Sequence, residues 1–216
     1  MPSLGLTISY HLIKWLIRGA MLLLTRTTVR GIELVPRHGP GIVVCNHIAA
    51  VDPAILVGVL PRPIVLMSKA ENDRGILKLF LALVGAFTVR RGAADRRALW
   101  MAQRTLAAGR LLGIFPEGTR HRDGLGVAHG GAVLLALKTG APIIPVALTG
   151  TARVFSRRFP WVGFPEVTVT IGAPFCLRAP KGALRRADRQ RMSDEVMIHI
   201  AALLPPEFRG AYRPAA

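Results

Sequence analysis

The sequence predicts a single α/β domain with a largely parallel central sheet of about seven strands, flanked by helices and preceded by an amphipathic helix. Short apolar runs alternate with helical stretches along most of the chain, which is typical of strands joined by crossover helices. Two of these runs, at residues 42–45 and 143–148, are continuously apolar, as strands covered on both faces are. The length of 216 residues suits one domain with at most a short appendage.

The first element is a predicted helix over Leu4–Leu24, placed in an N-terminal segment of residues 1–27. Its polar residues fall on one helical stripe. They are Thr7, His11, Lys14 and Arg18. A broad apolar arc with a basic seam and Trp15 is typical of a helix lying in a membrane interface, with Lys14 and Arg18 at headgroup level. The alternative is a helix packed on the domain's own core with this seam facing water. The two cations interrupt the run, so no membrane span is predicted.

The apolar runs that follow are short and alternate as predicted strands and helices within residues 28–205. The predicted strands are residues 29–34, 41–45, 64–67, 86–89, 111–115, 143–148 and 167–171. The predicted helices are residues 53–60, 75–84, 94–108, 132–139 and 184–204. Turns rich in Gly and Pro separate these elements. Residues 206–216 are predicted to be a loosely ordered tail.

The formal charge of +17, from 29 basic and 12 acidic residues, indicates an anionic partner such as nucleic acid, an anionic bilayer or a phosphorylated substrate. Nucleic acid is not expected, because the sequence carries no helix-turn-helix, zinc-finger or RNA-recognition signature. The two cysteines, Cys45 and Cys176, are too few for a disulfide framework or a zinc site. No metal or cofactor is therefore expected, and a reducing compartment is the default.

The first candidate site follows the buried strand at 41–45, where α/β folds gather ligands. His47 and Asp52 are five residues apart, so they meet only if the backbone turns between strand and helix. A histidine held by a carboxylate is an oriented general base near neutral pH. The structural alternative makes Asp52 a helix N-cap before Pro53 and His47 a core histidine.

The second candidate is the turn Phe-Pro-Glu-Gly-Thr-Arg at residues 115–120, again after an apolar strand. It presents Glu117, Thr119 and Arg120 together, and an arginine can hold a phosphate bidentately. A pair of arginines at 90–91 follows another strand end, and a Pro-flanked strand begins at Pro142. A solvated charge pair and a scaffold strand are the simpler interpretations of these last two.

In this order, the four pieces resemble the glycerolipid acyltransferase superfamily, and the 1-acylglycerol-3-phosphate acyltransferases in particular. His47 and Asp52, with Asn46 before them, match the family's Asn-His-x4-Asp block. Arg91 matches the arginine after its second apolar strand, and residues 115–120 match its Phe-Pro-Glu-Gly-Thr-Arg block without change. The resemblance covers roughly residues 29–169.

The resemblance implies transfer of a fatty acyl group from acyl-CoA or acyl-carrier protein to the free hydroxyl of 1-acylglycerol-3-phosphate, giving phosphatidic acid in phospholipid biosynthesis. His47 would take the hydroxyl proton and Asp52 would orient the imidazole, without a covalent acyl-enzyme. The implied substrate-binding residues are Asn46, Arg91, Glu117, Gly118, Thr119 and Arg120. The expected partners are a lysophospholipid acceptor, an acyl thioester donor and an anionic membrane surface.

Other functions stay open at this stage. A lyso-aminolipid acceptor would need no phosphate clamp, and water in place of the acceptor would make a thioesterase. A basic nucleic-acid or membrane-binding module would not need His47 and Asp52. Cys45 is not expected to act as a nucleophile, because strand alternation points it away from His47. The apolar helix and the charge together predict a peripheral membrane protein on the cytoplasmic face.

Overall fold

The computed structural model describes residues 4–69, 75–89, 95–154, 164–179 and 183–213. Across these ranges the strands and α-helices follow the predicted order. The α-helices are α1 (Leu4–Leu24), α2 (Asp52–Val59), α3 (Gly75–Leu83), α4 (Arg96–Ala107), α5 (Gly131–Thr139) and α6 (Arg186–Ala202). The strands are β1 (Arg26–Arg30), β2 (Gly41–Cys45), β3 (Ile64–Lys69), β4 (Phe87–Val89), β5 (Leu111–Ile114), β6 (Ile143–Thr149) and β7 (Glu166–Ile171).

The seven strands form one sheet in the order β1-β7-β6-β2-β5-β3-β4. Every neighbouring pair is parallel except β6 and β7, which are antiparallel. The predicted α/β class with a largely parallel sheet is therefore confirmed. Strand β2 lies at the centre between β5 and β6 and is buried along its whole length. Its carboxyl end thus opens at the middle of the sheet edge, where parallel α/β folds bind ligands.

Helices cover both faces of the sheet and create two apolar cores. On one face, α4, α5 and α6 pack against residues such as Ile42 and Leu112. On the other face, α1 and α2 pack against residues such as Val43 and Ile144, and α1 also contacts α3. Neighbouring residues of the central strands thus point into different cores, which explains why these strands read as continuous apolar runs.

The first strand differs from the prediction. Strand β1 covers Arg26–Arg30 rather than residues 29–34, and Ile32–Leu34 form a short 3-10 helix. Gly31 separates the two with a φ of 73°, and a Cβ at this position would collide with the carbonyl oxygen of Ile171. Only glycine adopts this turn without strain, so the strand ends at Arg30.

The described part of the C-terminal tail is more ordered than predicted. Residues Pro206–Phe208 and Gly210–Tyr212 form two short 3-10 helices. The Tyr212 hydroxyl donates to Asp194 Oδ1 of α6 at 3.1 Å, and the Leu125 N–H donates to the Phe208 carbonyl at 3.1 Å. These bonds fasten the tail to α6 and to the loop after β5.

Helix α1 packs on the domain, and the two cations of its polar stripe lie in different environments. Lys14 is only 8% exposed, and its Nζ donates to the Leu60 carbonyl at the end of α2 at 2.6 Å. Placing Lys14 in water or among headgroups was therefore wrong, because the carbonyls at a helix end offer this ammonium a buried partner. Arg18 is exposed, as predicted.

The outward face of α1 is apolar. The side chains of Ile8, Leu12, Trp15, Leu16, Leu22 and Leu23 are each at least 60% exposed. A monomeric soluble domain rarely exposes a continuous apolar stripe of this kind. Among the described residues, none of the helices combines the length and hydropathy that crossing a bilayer requires.

Candidate active site

His47 and Asp52 meet at the carboxyl end of β2. The chain leaves the sheet after Cys45 and turns sharply before α2, so that His47 Nδ1 lies 2.8 Å from Asp52 Oδ2. The backbone N–H groups of Ile48 and Ala49 donate to the same oxygen at 2.6 and 2.8 Å. The chain therefore turns around the Asp52 carboxylate, and this turn brings two residues that are five apart in sequence into contact.

Asp52 stabilises this turn through hydrogen bonds and is not the N-cap of α2. Its hydrogen bonds go to N–H groups that precede α2 in the chain, and the N-cap position belongs to Val51. Because a carboxylate can only accept, His47 Nδ1 carries the proton in the neutral imidazole and Nε2 keeps its lone pair. Asp52 is fully buried, whereas the His47 side chain is 18% exposed. The pair thus presents one basic nitrogen, held by a buried anion.

A cavity of about 230 Å³ lies beside His47 at the carboxyl edge of β3, β4 and β5. The Phe115 ring stacks on the imidazole, with centroids 4.3 Å apart and planes inclined by 27°. The other apolar lining residues include Leu66, Met67 and Leu81. The lining therefore places a basic nitrogen beside an apolar wall.

The predicted site residues of the 115–120 turn divide into two groups. Thr119 and Arg120 are exposed and line the same cavity as His47. Gly118 also lines it and takes a φ of 68°, and its N–H donates to the Phe115 carbonyl at 2.9 Å. The tight turn therefore carries Arg120 to the rim of the His47 cavity.

Glu117 points inward and is almost completely buried. Its Oε1 accepts the His47 N–H at 2.9 Å and its Oε2 accepts the Gly126 N–H at 2.8 Å. Burial raises the pKa of this carboxyl, although these two hydrogen bonds oppose the shift. The His121 N–H also donates to the His47 carbonyl at 2.8 Å. Both backbone groups of His47 are therefore tied to the loop after β5.

Asn46 is also buried, and both polar atoms of its side-chain amide form hydrogen bonds to the backbone. Its Nδ2 donates to the Leu148 carbonyl at 2.9 Å, and its Oδ1 accepts the Leu148 N–H at 2.7 Å. This pair of bonds continues the β2–β6 ladder one residue beyond the strand. Asn46 thus fixes the point where the chain leaves the sheet, immediately before His47.

Two further predicted residues have different outcomes. Arg91, with Arg90, lies outside the described residues, so its role stays a prediction. Cys45 is fully buried, and burial together with the nearby Asp52 and Glu117 raises the pKa of its thiol well above the usual value. A thiol in this state is a poor nucleophile, which agrees with the expectation that Cys45 does not react.

Sequence reasoning missed the backbone donors of the site. The N–H groups of Ile48, Ala49 and Gly126 hold Asp52 and Glu117, yet any residue type but proline could supply them. The only local signal in the sequence is that each acid follows the end of an apolar strand, Asp52 after β2 and Glu117 after β5. The stacking of Phe115 on His47 was also missed, because these residues are far apart in the chain.

A family model described as acyltransferase matches residues 26–149, which is more than half of the chain. The chain belongs to the acyltransferase family. The match begins at the first residue of β1 and ends with β6, so it includes the His47–Asp52 pair and the turn that carries Arg120. The family expected from the sequence motifs is thereby confirmed.

Individual relatives agree with this family. The chain is 36% identical over 137 residues to a 1-acyl-sn-glycerol-3-phosphate acyltransferase of Borreliella burgdorferi, covering 60% of this chain and 53% of that protein. It is 32% identical over 120 residues to the Bacillus subtilis enzyme of the same name, covering 55% and 60%. The chain spans about half the length of the first of these relatives.

A solved structure supports the fold of this acyltransferase. The crystal structure of the 1-acyl-sn-glycerophosphate acyltransferase PlsC from Thermotoga maritima superposes with a TM-score of 0.68 at 23% identity. The superposition covers 90% of this chain and 78% of that one. The covered part therefore includes most of the sheet and helices beyond the family match.

Proposed function

We propose that this acyltransferase moves a fatty acyl group from a thioester donor, acyl-CoA or acyl-carrier protein, to the free hydroxyl of 1-acylglycerol-3-phosphate, giving phosphatidic acid. The observation that carries the proposal is the His47–Asp52 pair beside an apolar cavity with Arg120 on its rim. The relatives from Borreliella burgdorferi and Bacillus subtilis, both named 1-acyl-sn-glycerol-3-phosphate acyltransferases, support the same reaction class.

The chemical step uses the lone pair of His47 Nε2. As the acceptor hydroxyl oxygen bonds to the thioester carbonyl carbon, Nε2 takes the hydroxyl proton, and the buried Asp52 stabilises the imidazolium. The tetrahedral adduct then breaks its carbon–sulfur bond. The leaving thiolate takes the proton back from His47, which restores the neutral imidazole and yields ester and free thiol.

The polar and the apolar residues that line the cavity would orient the two substrates. Arg120 and Thr119 offer hydrogen-bond donors for the phosphate of the acceptor, while Leu66, Met67 and Leu81 offer apolar contact to acyl chain. Holding the hydroxyl and the thioester in one cavity converts a bimolecular encounter into a nearly unimolecular step. A guanidinium on the rim favours a phosphate-bearing acceptor over a lyso-aminolipid.

The same proposal places the protein on an anionic membrane surface, at the cytoplasmic face. The exposed apolar face of α1 supports this placement, because the lysophospholipid acceptor and the product both partition into bilayers. Trp15 and the leucines would enter the acyl boundary, while Arg18 would lie at headgroup level. Lys14 takes no part, since it is buried against α2.

The test is an acyl-transfer assay with purified protein, a thioester donor and a panel of lysolipid acceptors, with products identified by mass spectrometry. Phosphatidic acid is the expected product, formed from 1-acylglycerol-3-phosphate in preference to acceptors without a phosphate monoester. Release of free fatty acid without any ester product would instead indicate a thioesterase and contradict the proposal.

A further inference from the structure

A second cavity lies under the first half of α1, at the sheet edge opposite the His47–Asp52 pair. Its volume is about 280 Å³. It is bounded by α1, the start of β3 at Ile64, the turn after α3 and Arg110 immediately before β5. None of the residues that line the active-site cavity lines this one. The two cavities are therefore separate.

Two arginines line this second cavity. The Arg62 guanidinium donates to the carbonyls of Pro36 and Gly39, each at 2.9 Å, and to that of Gly109. These neutral acceptors fix the guanidinium but leave its charge uncompensated. Arg110 is half-buried, and within the described part of the chain neither arginine forms an ion pair with a carboxylate. Two half-buried cations without an anion favour an anionic ligand.

The remaining lining combines a hydroxyl, an imidazole and apolar walls. The Tyr10 hydroxyl accepts the Ile64 N–H at 3.0 Å, so its own proton is left to donate. Burial raises the pKa of Tyr10 to about 12, so this proton is retained at neutral pH. His11 lines the mouth, and Pro63 and Val84 add apolar surface. The lining thus suits a ligand that carries an anionic group on an apolar body.

The mouth of the cavity opens beside the exposed apolar face of α1. His11 is exposed and lies one helical turn or less from Ile8, Leu12 and Trp15, which are 60% exposed or more. A phospholipid whose chains rest against these side chains would place its headgroup next to His11. The cavity therefore lies where the headgroup of such a phospholipid would contact the protein.

We propose that this cavity binds the phosphate headgroup of an anionic phospholipid. The proposal goes beyond acyl transfer, since it uses none of the residues assigned to that reaction. Arg110 supplies the free guanidinium, Arg62 and Tyr10 supply the fixed lining, and the apolar face of α1 contacts the chains. A bound lipid would hold α1 at the membrane surface through a specific contact, in addition to the nonspecific attraction of the net charge.

The test is an amide NMR titration of the full chain with dihexanoylphosphatidic acid below its critical micelle concentration. We expect saturable shifts of the Ile64 and Gly85 amides, which border the cavity. Arg110→Gln should weaken this binding about tenfold, as expected for the loss of one charge-assisted hydrogen bond. The matched control is Arg189→Gln, which removes an exposed arginine of α6 and should titrate as the wild type does.

Two further arms identify the ligand. Inorganic phosphate should bind at least about tenfold more weakly than the short-chain lipid, because it gains nothing from the apolar lining. His47→Ala should show the same Ile64 shifts, so the outcome does not depend on acyl transfer. Equal affinity for inorganic phosphate would overturn the assignment to a lipid. Shifts confined to amides near the active site, such as that of Gly126, would show that the lipid does not bind in the second cavity. An Arg110→Gln variant that titrates as the wild type does would also contradict binding there.

Discussion

Glu117 is buried beside His47, and we expect it to position this histidine rather than to bind substrate. Its two oxygens hold the N–H groups of His47 and Gly126, so neither is directed at the cavity. A glutamine at this position presents one NH₂ group to a backbone N–H and loses one of the two bonds. Glu117→Gln should therefore lower kcat about tenfold or more and lower Tm, with little change in the acceptor KM.

Steady-state kinetics with a thermal unfolding scan check this prediction. A higher acceptor KM with unchanged kcat and Tm would instead make Glu117 a substrate-binding residue, as the motif alone implied. The pH dependence gives a second readout. Because burial raises the pKa of Glu117, the native state binds this proton more readily than the unfolded chain, and stability falls as pH rises between the two pKa values. Glu117→Gln should lose that contribution.

Arg120 is exposed on the rim of the His47 cavity. Arg122 does not line that cavity but a neighbouring one, together with Asp123 and Leu125. Arg120→Gln should raise the acceptor KM roughly tenfold to a hundredfold while the thioester KM changes little, because the lost contact is to phosphate. Arg120→Lys should rescue only part of the loss, since a point charge lacks the bidentate fork. Arg122→Gln is the matched control. An effect confined to the thioester KM would contradict the assignment to the acceptor.

Helix α1 is both part of the core and the proposed membrane contact. Tyr10 and Lys14 bind the domain, while Trp15 and Leu16 face outward. Deleting the helix would therefore disturb the core, and exposed residues make the sharper test. The double substitution of Trp15 and Leu16 by serine should weaken vesicle binding at least about tenfold without lowering Tm, because each side chain gains apolar contact only in the bilayer.

Flotation with vesicles that contain anionic lipid measures this effect. The control is Trp100→Ser, which removes another exposed tryptophan, from α4 on the other face of the sheet. Equal losses in the two variants, or binding that survives in the α1 variant, would contradict the proposed role of α1.

The fold of the whole chain was predictable because the central strands are continuously apolar and each is followed by a helix or a turn signal. Strand β2 was predicted at its observed bounds for this reason. The start of β1 was not, because Arg26 and Thr27 belong to an edge strand whose pairing with β7 is set by residues far along the chain. Long-range pairing of this kind leaves little local signal.

The candidate site was also predictable only in part. The family resemblance implied that His47 and Asp52 act together, and the structure places His47 Nδ1 2.8 Å from Asp52 Oδ2. The inward direction of Asn46 and Glu117 was not predictable, because a polar residue beside a catalytic one reads as a substrate ligand whether it faces the cavity or the backbone. The burial of Lys14 was hidden for a related reason, since its partner is a main-chain carbonyl that no sequence pattern marks.

We propose that His47 is the general base of an acyl transfer to a lysophospholipid. Its most direct test compares kcat for 1-acylglycerol-3-phosphate in the wild type, His47→Ala and His38→Ala, the last removing an exposed histidine from a turn at the opposite sheet edge. His47→Ala should lower kcat about 10²- to 10⁴-fold with the fold intact by circular dichroism, and His38→Ala should leave it unchanged. Near-normal turnover by a folded His47→Ala protein would contradict the account.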